Sequence, residues 1–346
     1  MLSAARTPAA SRRSRGMAPR RALAVGVAAL LVSCSLTVSV HSVAAGLPSV
    51  AARADSRVYV TNQQDDTVSV IDAHTHKVVA TVPAGTAPEG VAVAKDGRRL
   101  YVADSGSARV SVLDTHTYKT VAAVPVGKSP TGVALSPDGG SLYVTNGTSN
   151  TVSVIDTRTQ RASATIPVGR SPVNVALSRD GARAYVANAG SGTLSVIDTR
   201  THQVTRQLPA GQSPVAVAVA KDGKTAYVAD EVGTRVLVIA TDSGKATAVN
   251  VGTGPFDVAI GPDGRYAYSA NLGPGNISMI DTGSKHVSAT IALGPPGTDP
   301  FNLEVTHDAI YVTNQGAGTL AVVDSASRKV VATVTVGAQP YGVAVR

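Results

Sequence analysis

Six aspartates, Asp72, Asp114, Asp156, Asp198, Asp281 and Asp324, each end a short apolar run, and His74, His76, His116, His202 and His286 follow within a few residues of one. Carboxylate and imidazole are the donors of metal and acid–base sites. Their context gives a plainer reading. Each aspartate precedes a Thr-, Ser- or Gly-containing turn, where its oxygens accept backbone N–H bonds, and the histidines are spread over several hairpins with no third ligand nearby. There is no Cys-x-x-Cys-His, no Gly-x-Ser-x-Gly and no phosphate-binding loop. No residue is assigned to catalysis or to a metal, and no cofactor is expected.

These groups are carried on a repeat. The stretch from Ser129 to Arg170, SPTGVALSPDGGSLYVTNGTSNTVSVIDTRTQRASATIPVGR, has near-duplicates from about residue 57 to the last residue. Four β-prone runs divide it, TGVALS, SLYVTN, TVSVID and ASATIPV, each bounded by Gly, Pro, Asn, Asp or Ser. They are labelled strands A to D. Strand A alternates small and medium residues, as from Gly90 to Ala94, which suits strands crowded round an axis. Strand D carries a proline (Pro83, Pro125, Pro167, Pro209) that cannot donate to a ladder, which places it on the outer edge. At the end of strand B stand Asn62, Asn146, Asn188, Asn271 and Asn314, with Asp104 and Asp230, which are expected to cap turns as the strand-C aspartates do.

Strand-B tyrosines recur at Tyr59, Tyr101, Tyr143, Tyr185, Tyr227, Tyr268 and Tyr311. A period near 42 residues with four strands per unit predicts a propeller. The fold expected is all-β, a seven-bladed β-propeller over residues 57–346 with four antiparallel strands per blade. The repeats begin in strand B at Arg57 and stop after a seventh strand A, Tyr341 to Val345. The first blade must therefore take strands B to D from the N-terminal side and strand A from the C-terminal side, which leaves no free inner edge.

Tyr-Val-Thr-Asn stands at Tyr59–Asn62, Tyr143–Asn146 and Tyr311–Asn314, with Ala, Asp or Ser replacing Thr or Asn elsewhere. On these residues the chain resembles the YVTN-repeat family of β-propeller proteins. The resemblance spans all seven repeats. It implies a bacterial protein, secreted or surface-attached, that serves as a binding scaffold.

The net charge of +8 misleads. Arg6, Arg12, Arg13, Arg15, Arg20 and Arg21 lie in a stretch without acids, and subtracting these six from 31 basic residues leaves 25 against 23 acids, or +2. An arginine-rich start followed by an apolar run from Ala22 to about Ala45 reads as an export signal, residues 1–45, with residues 46–56 as a linker. Cys34, the only cysteine, ends Leu31-Val32-Ser33-Cys34, which resembles a lipobox. Lipid chains there would anchor the protein to a membrane, each buried CH₂ contributing about 0.8 kcal/mol. Val43-Ala44-Ala45 offers ordinary cleavage before Gly46. The same apolar run is also near the ~20 residues that span a bilayer, so an uncleaved anchor is a third reading. All three put the propeller outside the cytoplasm, extracellular or on the outer face of the cytoplasmic membrane. With no cysteine in residues 57–346, stability rests on closure and packing.

The residue after the proline entering strand A sits at one mouth of the channel. Round the ring it reads Glu89, Thr131, Val173, Val215, Phe256, Phe301, Tyr341, so both phenylalanines of the chain and a tyrosine fall in consecutive blades. Asp257 and Asn302 follow the phenylalanines. An apolar crescent with a few carboxylates suits a small ligand or a peptide, and Glu89, Phe256, Asp257, Phe301, Asn302 and Tyr341 are the candidate binding residues. The plainer alternative is that the rings fill a wide channel. Arg109 is expected to pair with Asp104, and Arg235 with Asp230.

The function read from the sequence is an exported, monomeric scaffold binding a small molecule, a peptide or a cell-envelope component at the mouth. A propeller enzyme of the lactonase or quinone-dependent dehydrogenase type is one rival, requiring a metal cluster or a stacking surface that a chain with no Trp does not announce. A single-stranded nucleic-acid binder is another, requiring basic and aromatic residues interleaved. Nucleic acid is not an expected partner.

Overall fold

In strand B, alternate side chains leave opposite faces of the blade, and both faces meet a neighbour. Val58 and Val60 enter a core with Tyr311, Leu320 and Val322 of the seventh blade. Tyr59, between them, enters another with Val91, Leu100 and Val102 of the second. The strand is therefore apolar at three consecutive positions, Val58 to Val60, instead of alternating. Seven such interfaces, one between each pair of blades, take the place of a single central core.

The computed structural model describes residues 56–346, which form 28 strands in seven four-stranded sheets with two short 3₁₀ turns. The export signal, the lipidation at Cys34 and the linker up to residue 55 lie outside the described residues. Strands run A, B, C, D from the axis outward, and all neighbours are antiparallel. The first blade is closed as expected. Its strand A, Pro340–Val345, pairs with strand B, Arg57–Asn62, through Val58 with Val345, Tyr59 with Ala344 and Val60 with Val343. The Arg346 N–H then donates to the Arg57 carbonyl at 2.9 Å.

Each strand A holds one extra residue against its strand B, and the register slips just after the proline. Such a bulge frees a backbone N–H that must find another acceptor. The threonine of Tyr-Val-Thr-Asn supplies it. Thr145 Oγ1 accepts from Gly132 N–H at 2.8 Å and donates to the Val173 carbonyl of the next blade at 2.8 Å. Thr61 does the same between Gly342 and Glu89, and Thr313 between Asn302 and Tyr341. A single hydroxyl thus ties three strands, two of them lining the channel.

The asparagine or aspartate ending strand B does more than cap a turn, which corrects the sequence reading. Asn62 Oδ1 accepts from Gly337 N–H at 3.0 Å, in the turn arriving from the preceding blade, and Nδ2 donates to Thr67 and Ser69 of strand C. Asp104 likewise accepts from Gly85 N–H at 3.1 Å, from Ser111 Oγ at 2.6 Å and from Arg109 Nε at 3.0 Å. The turn glycine is obligatory here, because a Cβ on Gly85 would collide with the Asp104 carboxylate. The strand-C aspartates are turn caps, as expected: Asp72 Oδ1 accepts from His74 N–H at 3.0 Å and Thr75 N–H at 2.9 Å. Both expected ion pairs form, Arg235 meeting Asp230 at 3.1 Å.

Candidate functional site at the channel mouth

The sixth, seventh and first blades are neighbours across the closure, so the second residues of their A strands converge. The Phe256 and Phe301 rings stack with centroids 3.6 Å apart and planes 28° apart. Tyr341 meets Phe301 edge-on at 4.7 Å and Phe256 at 6.5 Å. Aromatic pairs in this range add about 0.5–1.5 kcal/mol each beyond burial. Phe301 is 8% exposed, while Phe256 and the Tyr341 residue are partly exposed.

Phe256, Asp257, Asn302 and Tyr341 line a cavity of about 70 Å³ together with Thr131 and Asn174. At roughly 30 Å³ per water that is room for about two waters, far below the roughly 300–1,000 Å³ of ligand pockets.

Glu89 joins this group through hydrogen bonds. Its carboxylate accepts from Gln63 Nε2 at 2.9 Å, and the hydroxyls of Ser105, Thr131 and Tyr341 lie near enough to favour its charged form. Burial raises its pKa, and these bonds oppose the rise. The Tyr341 hydroxyl is pushed well above its ordinary value by burial, with the charges of Glu89 and Asp257 adding to it.

Asp257 is turned toward the blade interface. One oxygen accepts from its neighbour Val258 N–H at 2.8 Å and the other from Leu303 N–H of the next blade at 2.9 Å. Burial nonetheless pushes it to about 7, opposed by those two bonds and helped by the charge of Glu304. Glu304 escaped the sequence reading. It occupies the fifth position of strand A, where the other six blades carry Ala92, Ala134, Ala176, Ala218, Ala259 and Ala344, and that break in the pattern was the signal. Desolvation raises it to about 7 as well. Its side chain is exposed, bordering a groove between the seventh and first blades, so its weight in stability is smaller than that of Asp257.

Because the folded pKa of Asp257 is raised, the unfolded chain loses this proton first. Stability that is full below about pH 4 is lost as the pH climbs to about 7, on the order of 4 kcal/mol for three units on a buried group. The turn aspartates act in a separate window, since Asp114, held near 2 by backbone bonds to its turn, loses its contribution only in stronger acid. An amide at position 257 keeps an acceptor for Leu303 N–H and gives up the one for Val258 N–H. Asn174 occupies the same place two blades away, its Oδ1 accepting from Val217 N–H across the next interface at 3.3 Å. Asp257→Asn is expected to raise the urea midpoint at pH 8 and to leave it level or lower at pH 4. Equal shifts at the two pH values would count against a buried, half-titrated carboxylate.

At the opposite end, between the seventh and first blades, a groove of about 510 Å³ is lined by His74, His76, Glu304, His307, Asp308 and Arg346 among others. Among the described residues no three His, Cys, Asp or Glu side chains converge to hold a metal ion.

The family model for YNCE-like beta-propellers matches residues 33–139 and 134–225, more than half of the chain. The chain belongs to that family. A YNCE-like propeller with seven blades fits the resemblance carried by Tyr-Val-Thr-Asn. No curated protein sequence matches the chain significantly. Among solved structures, this YNCE-like chain is similar to "Kuenenia stuttgartiensis Hydrazine Synthase" at 24% identity, covering 74% of this chain and 89% of that one with a TM-score of 0.67. It is similar to a functionally unknown protein from Desulfotomaculum acetoxidans at 18%, covering 84% and 98% with a TM-score of 0.70. It is also similar to the dihydro-heme d1 dehydrogenase NirN in complex with DHE at 17%, covering 83% and 74% with a TM-score of 0.64. At these identities the likeness is one of fold.

Proposed function

We propose that the chain is an exported binding scaffold that takes a small molecule, a peptide or a cell-envelope component on the mouth of its channel. The observation that carries this reading is the meeting of Phe256, Phe301 and Tyr341 from three consecutive blades at one end of a closed ring, beside the Glu89 carboxylate. Aromatic side chains offer much contact area for few rotamers to immobilise, and strands tied by Thr61 and Thr313 hold them in advance of binding. Export is inferred from the arginine-rich leader and its apolar run.

Compounds that co-purify with the protein from its native envelope fraction, identified by mass spectrometry, provide the test. Combining Phe256→Ala with Phe301→Ala is expected to weaken the binding of such a compound about tenfold or more. Unchanged affinity for every compound identified, with the circular dichroism of a folded propeller, would remove the mouth as the site.

A further inference from the structure

Of the carboxylates buried at this end of the ring, two are given a cation, while Asp257 is held by the backbone N–H groups of Val258 and Leu303. Asp104 and Asp230 are both fully buried, and each meets an arginine, Arg109 and Arg235. Glu89, only 9% exposed, is treated differently. Gln63, which bonds to it, and Ser105, Thr131 and Tyr341, whose hydroxyls lie near it, are all neutral. Its charge is hydrogen-bonded but not compensated, which is costly for a buried carboxylate. Glu231 and Asp257 add two further carboxylates near the Tyr341 hydroxyl. The aromatic faces alongside attract positive charge. With no cluster of three metal-ligating side chains among the described residues, an organic cation suits the place better than a metal ion.

We infer that the group recognised at the mouth is an organic cation, an ammonium or guanidinium on an apolar body, its charge directed at Glu89 and its body laid on Phe256. This rests on the mouth being the binding site.

The test is calorimetric titration of the full chain with benzylamine, benzyl alcohol, benzoate and calcium chloride, repeated on Glu89→Gln and Phe256→Ala after circular dichroism has established that each variant is folded. Benzylamine is expected to bind about tenfold or more tightly than the neutral and anionic probes, and Glu89→Gln to erase that preference. The capped dipeptide acetyl-Phe-Lys-amide, tried beside benzylamine, distinguishes a peptide source from a free amine, and preferential binding of either supports the inference. It is overturned if benzyl alcohol binds as well as benzylamine, if the preference survives Glu89→Gln, if calcium displaces the amine, or if no probe binds. Should all three aromatic probes bind alike and weaken in Phe256→Ala, the mouth stands as the site and only the cation is wrong. Should benzylamine bind undiminished to Phe256→Ala, the mouth itself is wrong.

Discussion

A chain ending at Gln339 is expected to lose the cooperative unfolding transition of the intact propeller. The cut removes strand A of the first blade, and with it the whole ladder that Arg57–Asn62 makes on its inner side. Val343 leaves the core shared with the seventh blade and Ala344 the core shared with the second. Thr61 loses Gly342 N–H, keeping only the Glu89 carbonyl, Thr313 loses the Tyr341 carbonyl, and the Phe301 ring loses its edge-on neighbour. Two interfaces fail together, and native domains hold only about 5–15 kcal/mol in reserve. The bared strand B also presents an unpaired apolar edge, which invites association with a second chain. Thermal melting followed by circular dichroism, with size-exclusion chromatography alongside, checks both effects. Adding a peptide of residues 339–346 is expected to restore the transition. A truncated chain that melts cooperatively at the parent temperature would show that closure contributes little.

Asp104→Ala is expected to destabilise the propeller by on the order of 3 kcal/mol, because Gly85 N–H and Ser111 Oγ lose a charged acceptor in a buried site. Arg109, 42% exposed on its side chain, can turn to water and adds less. The repeats themselves suggest the repair. Where strand B ends in Asp, the residue five positions on is Arg, as in Asp104 with Arg109 and Asp230 with Arg235; where it ends in Asn, that residue is Thr or Asn, as in Asn62 with Thr67 and Asn271 with Asn276. Asp104→Asn alone sets an amide N–H against Arg109 and should cost about 1 kcal/mol. Joined to Arg109→Thr it recreates the arrangement of the first blade and should recover most of that loss. Urea denaturation of the single and double variants measures the coupling, and a double variant no more stable than Asp104→Asn would contradict it.

The architecture was legible because each blade repeats the same physical problem. Small residues at the axis, a tyrosine every 42 or so residues and a proline on the outer strand all point to one radial order, and the termini of the repeat announced the closure. The convergence of Phe256, Phe301 and Tyr341 followed from counting positions round the ring. Whether the rings would touch depends on how wide seven blades leave the channel, and no single repeat contains that information. Glu304 breaks a column of six alanines, but a carboxylate in that place reads as solvated until the packing of the neighbouring blade is known. The role of Thr145 was hidden for another reason: its partners belong to a bulge and to the next blade, neither of which shows in the local pattern of the strand.

The clasp of Pro340–Val345 against Arg57–Asn62 bears on how the molecule comes into being. Of the 28 strands, the one that completes the first blade is the last to leave the ribosome. Until then Val58 and Val60 stand on a three-stranded sheet whose inner edge is open to pairing with another chain. The order of synthesis therefore postpones closure of the ring until all 28 strands have arrived.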